Sequence, residues 1–247
     1  MKLFEHLGID PGFSIKEHEQ AGRFLPLTHV RTALDTRQVI GDLSALLHLD
    51  SNPDALAAVQ YCVSELLRNA LEHSGSQDGA FVCAHNYTAG RFRRVSIAVV
   101  DCGQGIASHL APTHPEVRDD DAQALTLAML PGVTGVVPGM YGTPDNAGAG
   151  LFITRTIAKG SGGYFLLASG TAAYRLRRSK RGRRPARLNL DPLDDRHDLW
   201  PLEEPWLGTV VALEVRTDRI RDFQRFFGWI REQMPRRTTA RRRIQFT

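Results

Sequence analysis

The chain has 247 residues, 42% hydrophobic and 23% charged, with 31 basic and 27 acidic side chains and a formal net charge of +4. This composition describes a soluble globular chain with material for a sizeable core, and it excludes a disordered or fibrous one. No apolar run approaches the roughly 20 residues that cross a bilayer. Met1–His6 lacks a long apolar stretch, so a cytoplasmic protein without membrane association is expected. Cys62, Cys83 and Cys102 are odd in number and far apart, which reads as reduced thiols and not as disulfides or zinc ligands.

In chain order, residues 1–35 read as a weakly structured lead-in and an edge strand. Gly8, Pro11 and Gly12 interrupt the lead-in. Pro26 confines the strand at Arg23–Thr28 to a sheet edge, because it cannot donate to a ladder. Val39, Ile40, Leu43, Leu46 and Leu47 recur at helical spacing over Thr36–Leu49. Ser51-Asn52-Pro53-Asp54 is a helix start, with Asn or Ser as N-cap and Pro in the first turn. The helix it opens carries Leu56, Val59, Val63, Leu66, Leu67 and Ala70 as one stripe to about His73, and Gly75 and Gly79 end it.

Strands are expected at Ala80–Thr88 and Phe92–Val100. The second is nearly all apolar from Val95 onward, which suits a central strand. Residues 106–147 follow, with a helix at Asp120–Leu130 and many Gly and Pro. So long a connection in a compact domain is usually functional. A helix at Gly150–Lys159, closed by Gly160, Gly162 and Gly163, precedes strands at Tyr164–Ser169, Ala172–Leu176 and Gly208–Val215. Residues 177–205 read as an insertion. Residues 216–247 read as a final helix, bearing Phe223, Phe226, Phe227 and Ile230, with a basic tail.

Charge is unevenly placed. Arg175, Arg177, Arg178, Lys180, Arg181, Arg183, Arg184 and Arg187 form one basic run, and Arg236, Arg237, Arg241, Arg242 and Arg243 form another. An acidic stretch from Asp191 to Glu204 follows the first. Such runs are first of all solvated loops and tails. An acidic protein surface or nucleic acid is the alternative partner, with nucleic acid the less favoured.

Three short motifs carry the chemistry. In Glu65-Leu-Leu-Arg-Asn69, acid and amide stand four residues apart and point within about 40° of each other on a helix. That pair can orient and deprotonate an attacking group and complete a magnesium shell, or it can be an ordinary polar face. In Asp101-Cys-Gly103-Gln-Gly105-Ile106, a carboxylate at the end of a buried strand can accept a hydrogen bond from an adenine amino group, and the glycines admit close approach. Alone, it could be a simple turn. In Asn146-Ala-Gly148-Ala-Gly150-Leu151, glycines lead into a helix whose free N–H groups suit phosphate oxygens. Glycine pairs also serve as caps.

In order and setting these motifs resemble the N-box and two glycine boxes of the GHKL family of ATP-binding proteins. That family includes gyrase-type topoisomerases, heat-shock chaperones, histidine kinases, MutL-type repair proteins and anti-sigma-factor serine kinases. Trp206-Leu-Gly208-Thr209-Val-Val211 resembles the family's closing strand. The resemblance implies an α/β (α+β) fold, a two-layer Bergerat sandwich with a mixed sheet, helices on one face and a mobile ATP lid. It places the domain at 36–215 and the lid at about 106–147. It makes Glu65 the base and Asn69 the magnesium ligand, with Asp101 reading adenine beside Thr209. Gly103, Gly105, Ile106, Asn146, Gly148, Gly150 and Leu151 complete the nucleotide contacts, and ATP with magnesium is the expected cofactor pair. Thr134, Arg155 and Lys159 are further phosphate candidates, with helix-surface charge the favoured role for Lys159, whereas His73 reads as helix-end decoration.

Among GHKL uses, the resemblance is nearest to stand-alone anti-sigma-type serine kinases, which phosphorylate a Ser or Thr on a partner or antagonist protein. No phosphoacceptor His sits on a long acid- and Arg-flanked helix, which disfavours a histidine kinase catalytic domain. An ATP-driven switch or slow ATPase, a nucleic-acid-associated ATPase and a homodimeric assembly remain open alternatives.

Overall fold

The computed structural model describes residues 23–47, 49, 52–88, 92–133, 148–177 and 189–233. Strand β1 (Phe24–Val30) is followed by helices α1 (Ala33–Leu47) and α2 (Pro53–His73), then strands β2 (Ala80–Tyr87) and β3 (Arg94–Asp101). Helices α3 (Gly105–Leu110), α4 (Asp121–Ala128) and α5 (Gly150–Ser161) lead to strands β4 (Phe165–Leu176) and β5 (His197–Val215), and α6 (Phe223–Gln233) closes the described chain. This is the expected α+β class.

The sheet has five strands in the order β1-β2-β3-β5-β4. Every pairing among the described residues is antiparallel, which corrects the expectation of a mixed sheet. β3 and β4 do run parallel, as the long helical crossover between them requires. The hairpin partner β5 lies between them, so they never share a ladder.

Strand alternation builds the core. Ala80, Val82, Ala84 and Asn86 on β2 stand opposite Asp101, Val99, Ile97 and Val95 on β3, all buried. β5 continues that face with Thr209, Val211, Leu213 and Val215, and β4 with Phe165 and Leu167. The apolar residues among these join one cluster with Val59, Val63, Leu67, Phe152, Ile153 and Ile157 from α2 and α5. Removing each large side chain from water stabilises the fold by roughly 1.5–3 kcal/mol.

Four expectations shift. Residues 106–133, assigned to the lid, instead form α3, α4 and a short 3-10 turn that bury Leu110, Val117, Leu125 and Met129. Asp121 on α4 fixes them to β4 by accepting from the Thr171 backbone N–H (2.8 Å) and hydroxyl (2.9 Å). The remaining lid residues, 134–147, lie outside the described set. Residues 197–205, assigned to the insertion, are the first part of β5, and β4 is one strand with bulges around Gly170 where two were expected. The helix expected at 36–49 starts earlier, because Thr32 and Asp35 cap it reciprocally: Thr32 N–H donates to Asp35 Oδ2 (2.9 Å) and Asp35 N–H to Thr32 Oγ1 (3.2 Å). All three cysteines are free. Among the described residues no helix is long and apolar enough to cross a membrane.

Candidate nucleotide site

The site is assembled where α2 meets the start of α5 and the end of β3. α2 begins as its sequence dictates, with the Asn52 side chain accepting from Ala55 N–H at 3.0 Å and Pro53 in the first turn. Its length of 21 residues carries Glu65 and Asn69 along the α5 side. Glu65 is 7% exposed, a buried acid between Ser64 and Leu66. A Cβ on Gly150, the first residue of α5, would stand 2.5 Å from Glu65 Oε2 and 3.5 Å from Asn69 Nδ2. Glycine is therefore what lets the helix start approach the acid and the amide together.

Arg68 donates to Glu65 Oε2 at 2.5 Å. Burial pushes the Glu65 carboxyl above its ordinary range, and Arg68 pulls against that rise. The start of α5 has no side-chain cap, so its first N–H groups are oriented for an anion. Gly148, at a φ of +78°, would place a Cβ 2.2 Å from Val133 O. Gly132 N–H also donates to Gly148 O at 2.9 Å. Gly132 and Val133 therefore lie directly against Gly148, immediately before the α5 start.

The second half of the site is the end of β3. Asp101 is 4% exposed and stands opposite Thr209 on β5. Its Oδ1 accepts from Gly103 N–H at 3.0 Å. Burial raises the Asp101 carboxyl, while hydrogen bonds from Gly103 and Thr209 oppose the rise. Gly105, at a φ of +78°, would bring a Cβ 2.9 Å from Ser169 Oγ. Ser169 Oγ accepts from Ile106 N–H (3.0 Å) and donates to Gly208 O (2.6 Å), so one buried hydroxyl ties the glycine turn to β5.

The two halves are joined through the end of α2. Gln104 N–H donates to Ser74 O at 2.7 Å, and its side-chain amide donates to His73 O at 2.9 Å. A Cβ on Gly103 would fall 2.1 Å from Ser74 O. Glu65 and Ser74 are nine residues apart, about 14 Å along the helix axis. The acid and amide thus sit toward one end and the Asp101 turn at the other, the separation that a triphosphate and its base require.

The structure therefore brings Glu65, Asn69 and Gly150 together, and Asp101, Gly103, Gly105, Ile106 and Thr209 together. Gly148 sits against Gly132 and Val133, and Leu151 packs against the core. Asn146 and Thr134 lie outside the described residues. Arg155 and Lys159 are not phosphate ligands in this arrangement. Arg155 is 1% exposed and bonds Asp195 Oδ2 at 3.1 Å, while Lys159 pairs with the same carboxylate. His73 is more than decoration, because its ring stacks on His109 at 4.7 Å between centroids. Burial lowers the pKa of both rings, that of His109 to about 4. Arg68, Ser74, Ser169 and Trp206, whose indole N–H donates to Asp101 O at 3.4 Å, escaped the sequence reading. Only Arg68 had a local signal, three residues after Glu65 on the same helix.

The donor set fits magnesium ATP. Glu65 and Asn69 are oxygen donors of the hard-cation type, and the uncapped α5 start supplies N–H groups for phosphate. Fold and site together define a nucleotide-binding α+β module. Residues 28–160 match the family model described as histidine kinase-like ATPase domain. The chain belongs to that family, and it is an ATP-binding module of the GHKL type. A structural neighbour is the histidine kinase domain of the Erythrobacter litoralis EL346 blue-light activated histidine kinase. It has 12% sequence identity and a TM-score of 0.32, and the match covers 80% of this chain and 72% of that one. No curated protein matches.

Proposed function

We propose that this module is a magnesium- and ATP-dependent protein kinase that acts on a Ser or Thr of a partner protein, in the manner of anti-sigma-type serine kinases. The supporting observation is the buried carboxylate of Glu65, held against the α5 start beside Asn69. Magnesium ATP, when bound, supplies the transferable γ-phosphoryl group. Glu65 accepts the proton of the incoming hydroxyl, and Asn69 offers its amide oxygen to magnesium. The first N–H groups of α5 hold phosphate oxygens. Asp101 accepts from the adenine amino group, an interaction guanine cannot make because it presents a carbonyl there.

One contact favours a second reading. Arg68 occupies the same Glu65 oxygen that faces Gly150. If that clamp persists with nucleotide bound, the carboxylate is not free as a base, and ATP acts as a switch ligand that alters partner binding. Transfer of labelled γ-phosphate to a co-purifying protein separates the two readings. The kinase reading expects Glu65→Gln to lower transfer by about 10²–10⁴-fold while ATP still binds. Partner binding that depends on ATP and survives Glu65→Gln, with no label transferred, would establish the switch instead.

A further inference from the structure

Away from the nucleotide site, a cavity of about 620 Å³ is lined by Tyr164, Leu166, Arg175, Leu176, Arg177, Arg196 and Ala212. Its lining sets an apolar floor under three guanidinium groups. Leu166 and Ala212 pair across β4 and β5. They lie on the sheet face opposite Phe165, Leu167, Val211 and Leu213, which belong to the helix-covered core.

The cavity exists because the β4–β5 ribbon bends. Leu166 and Leu176 are ten residues apart on β4, about 33 Å in a straight strand, yet both line one cavity. The ladder is irregular from Ser169 to Ala172. Gly170 there has a φ of +58°, and a Cβ on it would meet Asp121 Oδ2 at 2.2 Å. Beyond the bend the ribbon is pinned on its other side, where Asp195 holds Arg155 and Lys159 of α5. Tyr174 OH also donates to Pro192 O at 2.9 Å.

The charges do not balance locally. Arg175 and Arg177 share one carboxylate, Asp198, at 2.7 and 3.0 Å, with their side chains 51% and 45% exposed. Arg196 is exposed; its backbone carbonyl accepts from Arg177 N–H at 2.8 Å, and its guanidinium has no ion-pair partner among the described residues. The rim is thus three cations against one anion, and in sequence it runs directly into Arg178, Lys180, Arg181, Arg183, Arg184 and Arg187.

We infer that this groove docks an acidic, extended segment of a partner protein, its carboxylates on Arg175, Arg177 and Arg196 and an intervening apolar side chain on Tyr164 and Leu166. Guanidinium forks bind carboxylates with two parallel hydrogen bonds, and a floor of aliphatic residues rewards an apolar side chain between them. Nucleic acid fits less well, because the floor holds a single tyrosine and no series of aromatic rings for stacked bases.

The inference deepens the partner-directed reading above, but its test is a binding measurement that needs no nucleotide. Intact peptide binding without phosphoryl transfer would count against the kinase reading alone. The probe is a fluorescein-labelled Asp-Leu-Glu-Asp-Leu-Glu peptide, titrated with the full chain and followed by anisotropy. Saturable binding is expected, weakening as salt rises and about tenfold weaker in Arg177→Gln/Arg196→Gln. The amide analogue Asn-Leu-Gln-Asn-Leu-Gln is expected to lose affinity similarly. Arg181→Gln/Arg183→Gln/Arg184→Gln, which leaves Arg175, Arg177 and Arg196 unchanged, should stay within about twofold. Among the peptide results, any of these would overturn the proposal: no saturable binding, loss only in the triple variant, or equal binding of the amide peptide. Displacement of the peptide by a tighter-binding single-stranded oligonucleotide would also overturn it, assigning the arginines to nucleic acid. Circular dichroism melts of the variants check that folding is unchanged; the Arg177 and Arg196 side chains are exposed.

Discussion

Glu65 is pulled in two directions, upward by burial and downward by the Arg68 guanidinium. A general base works in its ionised form, so phosphoryl transfer should rise with pH as this carboxyl loses its proton. Without Arg68, burial and the nearby Glu72 are left to raise the carboxyl further. Arg68→Gln should therefore move the acid limb of the pH–rate profile to higher pH and leave the neutral plateau less affected. An unmoved acid limb would show that Arg68 does not hold the charge on Glu65. At this scale the sequence was readable where chemistry is local. Glu65 with Asn69 follows from helical spacing, and Asp101 with Gly103 from a turn. Ser169 and Trp206 were not readable, because each reaches its partner across strands from far along the chain: Ser169 lies 63 residues from Ile106, and Trp206 lies 105 from Asp101.

At the scale of elements, the α2–α5 contact decides whether the phosphate end exists. Gly150→Ala would set a methyl group 2.5 Å from Glu65 Oε2, forcing the carboxylate or the helix start to move. Titration calorimetry of this variant should show at least about tenfold weaker ATP binding, the loss of roughly one charge-assisted hydrogen bond. Unchanged affinity would remove the α5 start from the site. The clasp between the β4–β5 ribbon and α5 is a matter of stability instead. Asp195→Ala strands the 1%-exposed Arg155 without its carboxylate, which should cost about 3–5 kcal/mol and be seen as a lowered midpoint in denaturant melts. A change near zero would mean that Arg155 finds another partner. The ribbon also explains a misreading. Pro201, Glu203, Glu204 and Pro205 argue against a strand on propensity. They lie in the exposed part of β5, where a two-stranded ribbon demands little of its side chains. The segment 106–133, within the expected lid, carries the helix its sequence predicts, and Leu110, Val117, Leu125 and Met129 bury it against the core.

Over the whole molecule, the architecture separates two jobs. One sheet face and its helices build a core that sets Asp101 and Glu65 at opposite ends of one site. The bent ribbon at the β4 edge carries the arginine groove to the other face. The fold class was legible in the sequence because hydrophobic periods and the three boxes agree on it. Strand order was not, since nothing local says that β5 inserts between β3 and β4. The central claim is that a buried carboxylate at the end of β3 selects adenine for this ATP-binding module. Its most direct test is titration calorimetry of the full chain with ATP and with GTP, each with magnesium, repeated with Asp101→Asn. Selective ATP binding is expected, with GTP about 10²-fold weaker or worse and ATP at least about tenfold weaker in the variant. Equal affinity for the two nucleotides, or unchanged ATP affinity in Asp101→Asn, would contradict the assignment.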